Sequence, residues 1–183
     1  MLENRDYMRE SRSFGGWQWS ATTVLLIVIV VAFLLQVTVL PRLIVEGYLA
    51  LSLDGRKHGY VWQLVTFQFL HSRSNILHVL LNCWALYVFG REVESTLGKT
   101  RFVALYFLSG VIGGLFQVLV ALLWPSYFDA AMVGASAGVL GIVAAFAMLF
   151  RNRVLTLLMF FVIPLNLRAK YLRWLSLILA ALG

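Results

Sequence analysis

Asn75-Ile-Leu-His78-Val-Leu-Leu-Asn82-Cys-Trp-Ala-Leu-Tyr-Val-Phe-Gly90 is an apolar, membrane-length segment that carries an imidazole and a carboxamide in its middle. Lipid offers such groups no partner. An unpaired amide or hydroxyl moved into an apolar medium costs roughly 2–7 kcal/mol, so polar side chains kept there need a bonding partner or a task. The i,i+4 spacing puts His78 and Asn82 on one helix face, where they can converge on a single point. A third such group is Ser136, in the run of tiny residues Gly134-Ala-Ser-Ala-Gly138 where another apolar block begins.

Composition carries the same reading to the whole chain. Its 183 residues are 61% hydrophobic and 13% charged, against about 25% charged in soluble domains. This is an integral membrane protein, an all-α polytopic helix bundle. Its length holds about five spans of ~20 residues with loops. Residues 1–16 read as a polar cytoplasmic tail, and 17–183 as one transmembrane domain. The net charge of +7 is spread over the ends of apolar segments and forms no basic stripe with interleaved aromatics, so no nucleic-acid partner is expected. The single cysteine, Cys83, allows no disulfide framework and suggests no metal cluster. The first apolar run, Trp17 to Leu40, is too long for a signal-peptide core and reads as a retained span.

The apolar blocks fall near 17–40, 75–90, 102–124, 136–150 and 171–183, with a shorter run at 154–165 broken by Pro164. Lys and Arg stay on the cytoplasmic side. Arg5, Arg9 and Arg12 precede the first span, Arg91, Lys99 and Arg101 follow the second, and Arg151, Arg153, Arg168, Lys170 and Arg173 follow the fourth. The alternation this requires has the N-terminus, the 91–101 loop and the 151–173 loop inside, and the 125–135 loop outside. It also puts the long 41–74 loop outside, although that loop carries Arg42, Arg56, Lys57 and Arg73. With Tyr48, Tyr60 and Trp62 it reads as a partly submerged interfacial loop in contact with the lipid bilayer.

The fourth block, Ser136 to Phe150, gives only about 22 Å of helix against a hydrocarbon core of about 30 Å. With its far end fixed by Arg151 and Arg153, Ser136 must lie below the outer surface, at a helix N-terminus on the floor of a wet cavity. Two readings of the small residues stand side by side. Gly134 and Gly138, Ala137 and Gly141, and Gly110 and Gly114 are each four apart, as in a close helix-packing seam. The functional reading is nucleophilic acyl transfer, with Ser136 as nucleophile and Asn82, His78 and the Ser136 N–H as donors to an oxyanion. For His78 and Asn82 the structural alternative is an interhelical hydrogen-bonded clasp.

In order, His71-Ser-Arg-Ser-Asn-Ile-Leu-His78-Val-Leu-Leu-Asn82, Phe89-Gly90-Arg-Glu-Val-Glu94-Ser-Thr-Leu-Gly98, Tyr106, Gly110, Gly113-Gly114 and Gly134-Ala-Ser136 resemble the rhomboid intramembrane serine proteases. The resemblance runs from about residue 62 through the fourth span. It implies a six-helix bundle, five of whose helices are present here, with Ser136 as nucleophile and His78, Asn82 and the Ser136 N–H as oxyanion hole. Glu94 and the glycines, Gly134, Gly138 and Gly141 among them, would be structural. It also implies transmembrane protein substrates cut near their outer ends, with no cofactor. The expected location is a bacterial inner membrane, with the site opening to the outer side. Gln63 stands after Trp62 where many members carry arginine, and Ala137 replaces the glycine often found after the nucleophile.

The family's general base is a histidine on the sixth helix, and no histidine follows His78 in this sequence. A chain ending at Gly183 within an apolar segment is expected to be a truncated active protease. His71 and His58 read as interfacial or loop histidines and take no role, since a base must come within about 3 Å of its serine. The runner-up is a rhomboid-like pseudoprotease that binds membrane proteins without cutting them. A transport route lined by His78 and Asn82 ranks last, for want of an internal repeat. No oligomeric state is read from the sequence.

Overall fold

A computed structural model describes residues 19–125, 131–152, 154–159 and 163–168. The expected tail and the 171–183 block lie outside these residues. Four helices form the core: α1 (Ala21–Thr38), α5 (Ile76–Leu97), α6 (Lys99–Leu123) and α7 (Ser136–Leu149). Between α1 and α5 the chain makes three short helices. These are α2 (Arg42–Ile44), which runs into a π-helical turn at Val45–Leu49, α3 (Leu53–Lys57), and α4 (Gln63–Thr66), which tightens into a 3-10 turn at Phe67–Phe69.

α1, α5 and α6 are each long and apolar enough to cross a membrane, while α7 is shorter, with 14 residues. Only 17–33% of the three long apolar windows is buried inside the protein. Side chains such as Val31 and Leu34 on α1, Leu80 and Leu81 on α5, and Ile112 and Phe116 on α6 are exposed. An apolar surface of this extent belongs against lipid, where helices satisfy every backbone group internally. The core lies where the four helices meet: Leu25 and Ile29, Leu86 and Phe89, Phe102 and Tyr106, Ile142 and Phe146. Phe89 and Phe146 meet edge to face at 5.0 Å. α7 packs most extensively against α6 and next against α5.

Two expected boundaries move. The 91–101 loop does not exist as a loop: α5 continues to Leu97 and α6 begins at Lys99, joined by Gly98 at φ 80°. Glycine adopts this left-handed turn without a Cβ clash. The charges read as loop residues ride on the helix, with Arg91 exposed and Glu94 buried. The Glu94 carboxylate accepts from the Ala21 N–H (2.7 Å), the Thr22 N–H (2.8 Å) and the Thr22 hydroxyl (2.7 Å). It thereby caps the N-terminus of α1, whose own Ser20 hydroxyl takes the Thr23 N–H (3.1 Å). The second change is the apolar run at 154–165. It forms an antiparallel hairpin, β1 (Val154–Met159) with β2 (Ile163–Arg168), in which Pro164 pairs with Leu158. Proline has no N–H to continue a helix interior, and runs this short suit strands as well as helices.

The 39–75 segment is tied to the chain that leads into α7. Leu51 and Met132 exchange backbone hydrogen bonds (3.1 and 2.8 Å), and the Gly134 N–H donates to the Phe67 carbonyl (3.0 Å). A small apolar cluster of Val45, Ala50 and Leu70 packs with Val133. Gln63, fully buried, stitches the segment internally: its amide accepts from Ser52 N–H (3.3 Å) and donates to the Gly47 carbonyl (3.2 Å). At one edge Tyr48, His58 and Trp62 each stack on Tyr60, and Leu43, Val61 and Trp62 are exposed.

Candidate active site

Ser136 is the first residue of α7, after Ala135 in the cap position. Its N–H is one of the four that a helix leaves without an intrahelical partner, at the positive end of the helix dipole. At φ 138° Gly134 holds the chain in the turn that delivers it there. A Cβ on Gly134 would stand 2.9 Å from His78 Cε1, 3.0 Å from His78 Nε2 and 3.5 Å from Ser136 Oγ. The imidazole of α5 and the hydroxyl of α7 therefore both border the narrow gap left by the missing Gly134 side chain, too tight for a methyl group. Ser136 and His78 are half-buried and Asn82 is buried.

Asn82 Nδ2 donates to the His78 carbonyl at 2.8 Å. This uses one amide hydrogen and fixes the plane of the carboxamide, leaving the second hydrogen of the NH₂ for a further acceptor. Among the described residues this bond stays within α5 and forms no interhelical clasp.

The small-residue seam is present as well, so the two readings of these glycines divide by position. A Cβ on Gly138 would lie 2.8 Å from the Tyr106 ring, one on Gly113 2.6 Å from Ala137 Cβ, and one on Gly141 would overlap Ser109. Gly138, Gly141 and Gly113 thus set the α6–α7 approach, while Gly134 lies against His78 and Ser136.

His71 lies in the non-helical stretch before α5, as one of the two expected readings had it, but it is fully buried, and its ring lies edge-on to that of His78 with centroids 5.3 Å apart. Burial, then the proximity of His78, lower its pKa from 6.5 to about 4, so the ring is held neutral. The reason is chain course. Residues 70–75 are not helical, so the chain turns back onto the first turn of α5. His58, by contrast, is exposed beside Asp54. Sequence reasoning also passed over Gln36, a buried amide on α1 bonded to the backbone of His71. Its signal was the same as that of Asn82: a carboxamide inside an apolar span.

The family model for the rhomboid domain matches residues 58–182. The rhomboid YdcA of Bacillus subtilis (strain 168) is 34% identical over 103 residues, 55% of this chain and 48% of that protein. The inactive RHOMBOID-like protein 8 of Arabidopsis thaliana is 32% identical over 104 residues, 56% of this chain and 29% of that protein. The rhomboid protease AarA of Providencia stuartii is 33% identical over 96 residues, 48% and 34%. The matches cover less than half the length of each of these relatives. The match spans most of the chain, including α5, α6 and α7 with the space between His78 and Ser136, and the chain belongs to the rhomboid family of integral membrane proteins.

Proposed function

We propose that the chain carries the nucleophile and oxyanion hole of an intramembrane serine endopeptidase acting on transmembrane segments of other proteins. The observation that supports this best is the space beside Gly134, bordered by the His78 ring and the Ser136 hydroxyl. In this reading Ser136 Oγ gives up its proton to a base and attacks a peptide carbonyl carbon. The negative charge that develops on the carbonyl oxygen is met by the Ser136 N–H, the free Asn82 amide hydrogen and a His78 ring N–H. Fixed donors of this kind need no reorganisation during the reaction, and removing one typically lowers turnover ~10²–10³-fold. The shortness of α7, about 21 Å at ~1.5 Å per residue, supports a Ser136 set below the membrane surface on the side of the 39–75 segment. That is the outer side if the basic residues of the sequence set the orientation, with the N-terminus cytoplasmic. The proton acceptor is not assigned to any residue of this sequence.

A second reading is an inactive rhomboid-like protein that holds membrane segments. One relative bears the name inactive. The natural full-length protein, reconstituted with a single-span reporter, separates the two. Ser136→Ala is expected to abolish cleavage, and undiminished cleavage would refute the protease reading. Covalent labelling of Ser136 by a fluorophosphonate excludes the inactive reading, and a folded protein that neither labels nor cleaves establishes it.

A further inference from the structure

The His78 imidazole, which carries one of the proposed oxyanion donors, is held by no hydrogen bond through its ring among the described residues. Its aim is set by what packs against it. One neighbour is the Gly134 backbone; the other is the ring of His71, edge-on at 5.3 Å and 66°. His71 is in turn held by α1 on two sides. The Gln36 amide takes both polar groups of the His71 main chain, Nε2 donating to its carbonyl (2.6 Å) and Oε1 accepting from its N–H (3.0 Å). Phe33, three residues earlier on the same helix, meets the His71 ring edge-on at 6.4 Å. Gln36 is 2% exposed and His71 0%.

A glutamine that satisfies the donor and acceptor of one distant residue mimics a backbone partner, and it does so across 35 positions of sequence. A buried carboxamide can donate and accept at once, which neither a carboxylate nor a hydrocarbon of the same size can do. The two bonds leave His71 no freedom to slide along α1. The His71 ring therefore presents a fixed wall to His78. Neither ring nitrogen of His71 makes a well-formed hydrogen bond among the described residues, though the Phe69 backbone carbonyl lies near the ring, so toward His78 this ring acts through shape and position.

We infer that Gln36 is a positioning residue: by clasping the His71 main chain it seats the His71 ring against His78 and so aims the His78 N–H at the oxyanion. The inference rests on the protease reading above. Oxyanion donors act only when held near the position the oxygen takes in the transition state. A tilted imidazole thus loses turnover while substrate binding, made elsewhere, is kept.

The test is a double-mutant cycle in the natural full-length protein, reconstituted in liposomes with a single-span reporter. Gln36→Leu keeps the volume and removes both bonds. We expect kcat to fall roughly tenfold or more, short of the ~10²–10³ that loss of a whole donor gives, with KM within about twofold. In the His78→Ala background the same substitution should change kcat by less than about twofold, because the group it positions is gone. An equal loss in both backgrounds would mean that Gln36 acts through general stability, and overturns the inference; so does an unchanged kcat. Gln36→Glu, which can accept from the His71 N–H but not donate to its carbonyl, is the second variant and should fall between the two. It decides the matter by the same cycle if Gln36→Leu does not fold. Failure of the underlying reading is distinguishable: it shows as cleavage that survives Ser136→Ala, or as no cleavage by the unmodified protein, and it overturns both.

Discussion

Glu94→Ala removes a cap that one spanning helix supplies to another. In the intact protein the carboxylate accepts three hydrogen bonds of 2.7–2.8 Å from the first turn of α1. Each bond to an ionised group is worth about 1.5–3 kcal/mol when a buried partner would be left unmade, and the charge at a helix N-terminus adds about 0.3–1 kcal/mol. The three share one carboxylate and lie at a helix end, where water can take over part of the role. A net loss of about 3 kcal/mol is therefore expected rather than the full sum. For a chain of this size 1 kcal/mol moves the melting temperature by about 2–4 °C, so Glu94→Ala should melt roughly 6–12 °C lower in detergent micelles. Glu94→Gln should lose about half as much. Its one amide oxygen still accepts, but its NH₂ faces a donor. Melting of Glu94→Ala within 2 °C of the unmodified protein would refute the cap as a source of stability. So would a Gln variant less stable than the Ala variant.

Gly134→Ala puts a methyl 2.9 Å from the His78 ring at a backbone φ of 138°. It should lower fluorophosphonate labelling of Ser136 by about 10²-fold, comparable to loss of an oxyanion donor, while the protein still folds. Gly141→Val forces α7 off Ser109, and overpacking of this kind should cost about 1–3 kcal/mol, read as a lower melting temperature. His71, with a folded pKa of about 4 against 6.5, binds fewer protons folded than unfolded. Its contribution to stability is complete above pH 6.5, declines as the pH falls below that, and levels off below about 4. Melting curves from pH 7 to 4 should show the decline, and His71→Phe should flatten it.

The first three spans, and the meeting of His78 with Ser136 beside Gly134, were legible because both follow from the intolerance of lipid for unpaired polarity. Trp17–Leu40 is predominantly apolar, and His78, Asn82 and Ser136 stand out against such a background. The turn at Gly98 was not, because charge was taken as the mark of a loop. Glu94 shows why that fails: a carboxylate can remain on a helix when another helix presents its amides to it. The burial of His71 was not legible, because a loop histidine has no periodicity to tell which way its chain folds, and residues 70–75 bring it back against His78 at the start of α5. The hairpin at 154–168 was open to either reading, since apolar runs of four to eight residues fit both periods. The 171–183 block, expected as a fifth span, lies outside the described residues.

Much of α1 turns an apolar surface outward, and in lipid such surface gives little reason to join a neighbour. Its polar attachments sit near its two extremities: the Glu94 cap on Ala21 and Thr22 at one, the Gln36 clasp on His71 at the other. Thr22 and Gln36 are also among its few buried residues. The helix is thus fastened like a door bar, at two brackets with a smooth length between. Assembly then has a natural order: α1 can enter the bilayer as an independent span and dock afterwards, when both brackets exist. Those brackets stand at the two ends of α5, so docking of the first helix reports that α5 is both inserted and in register.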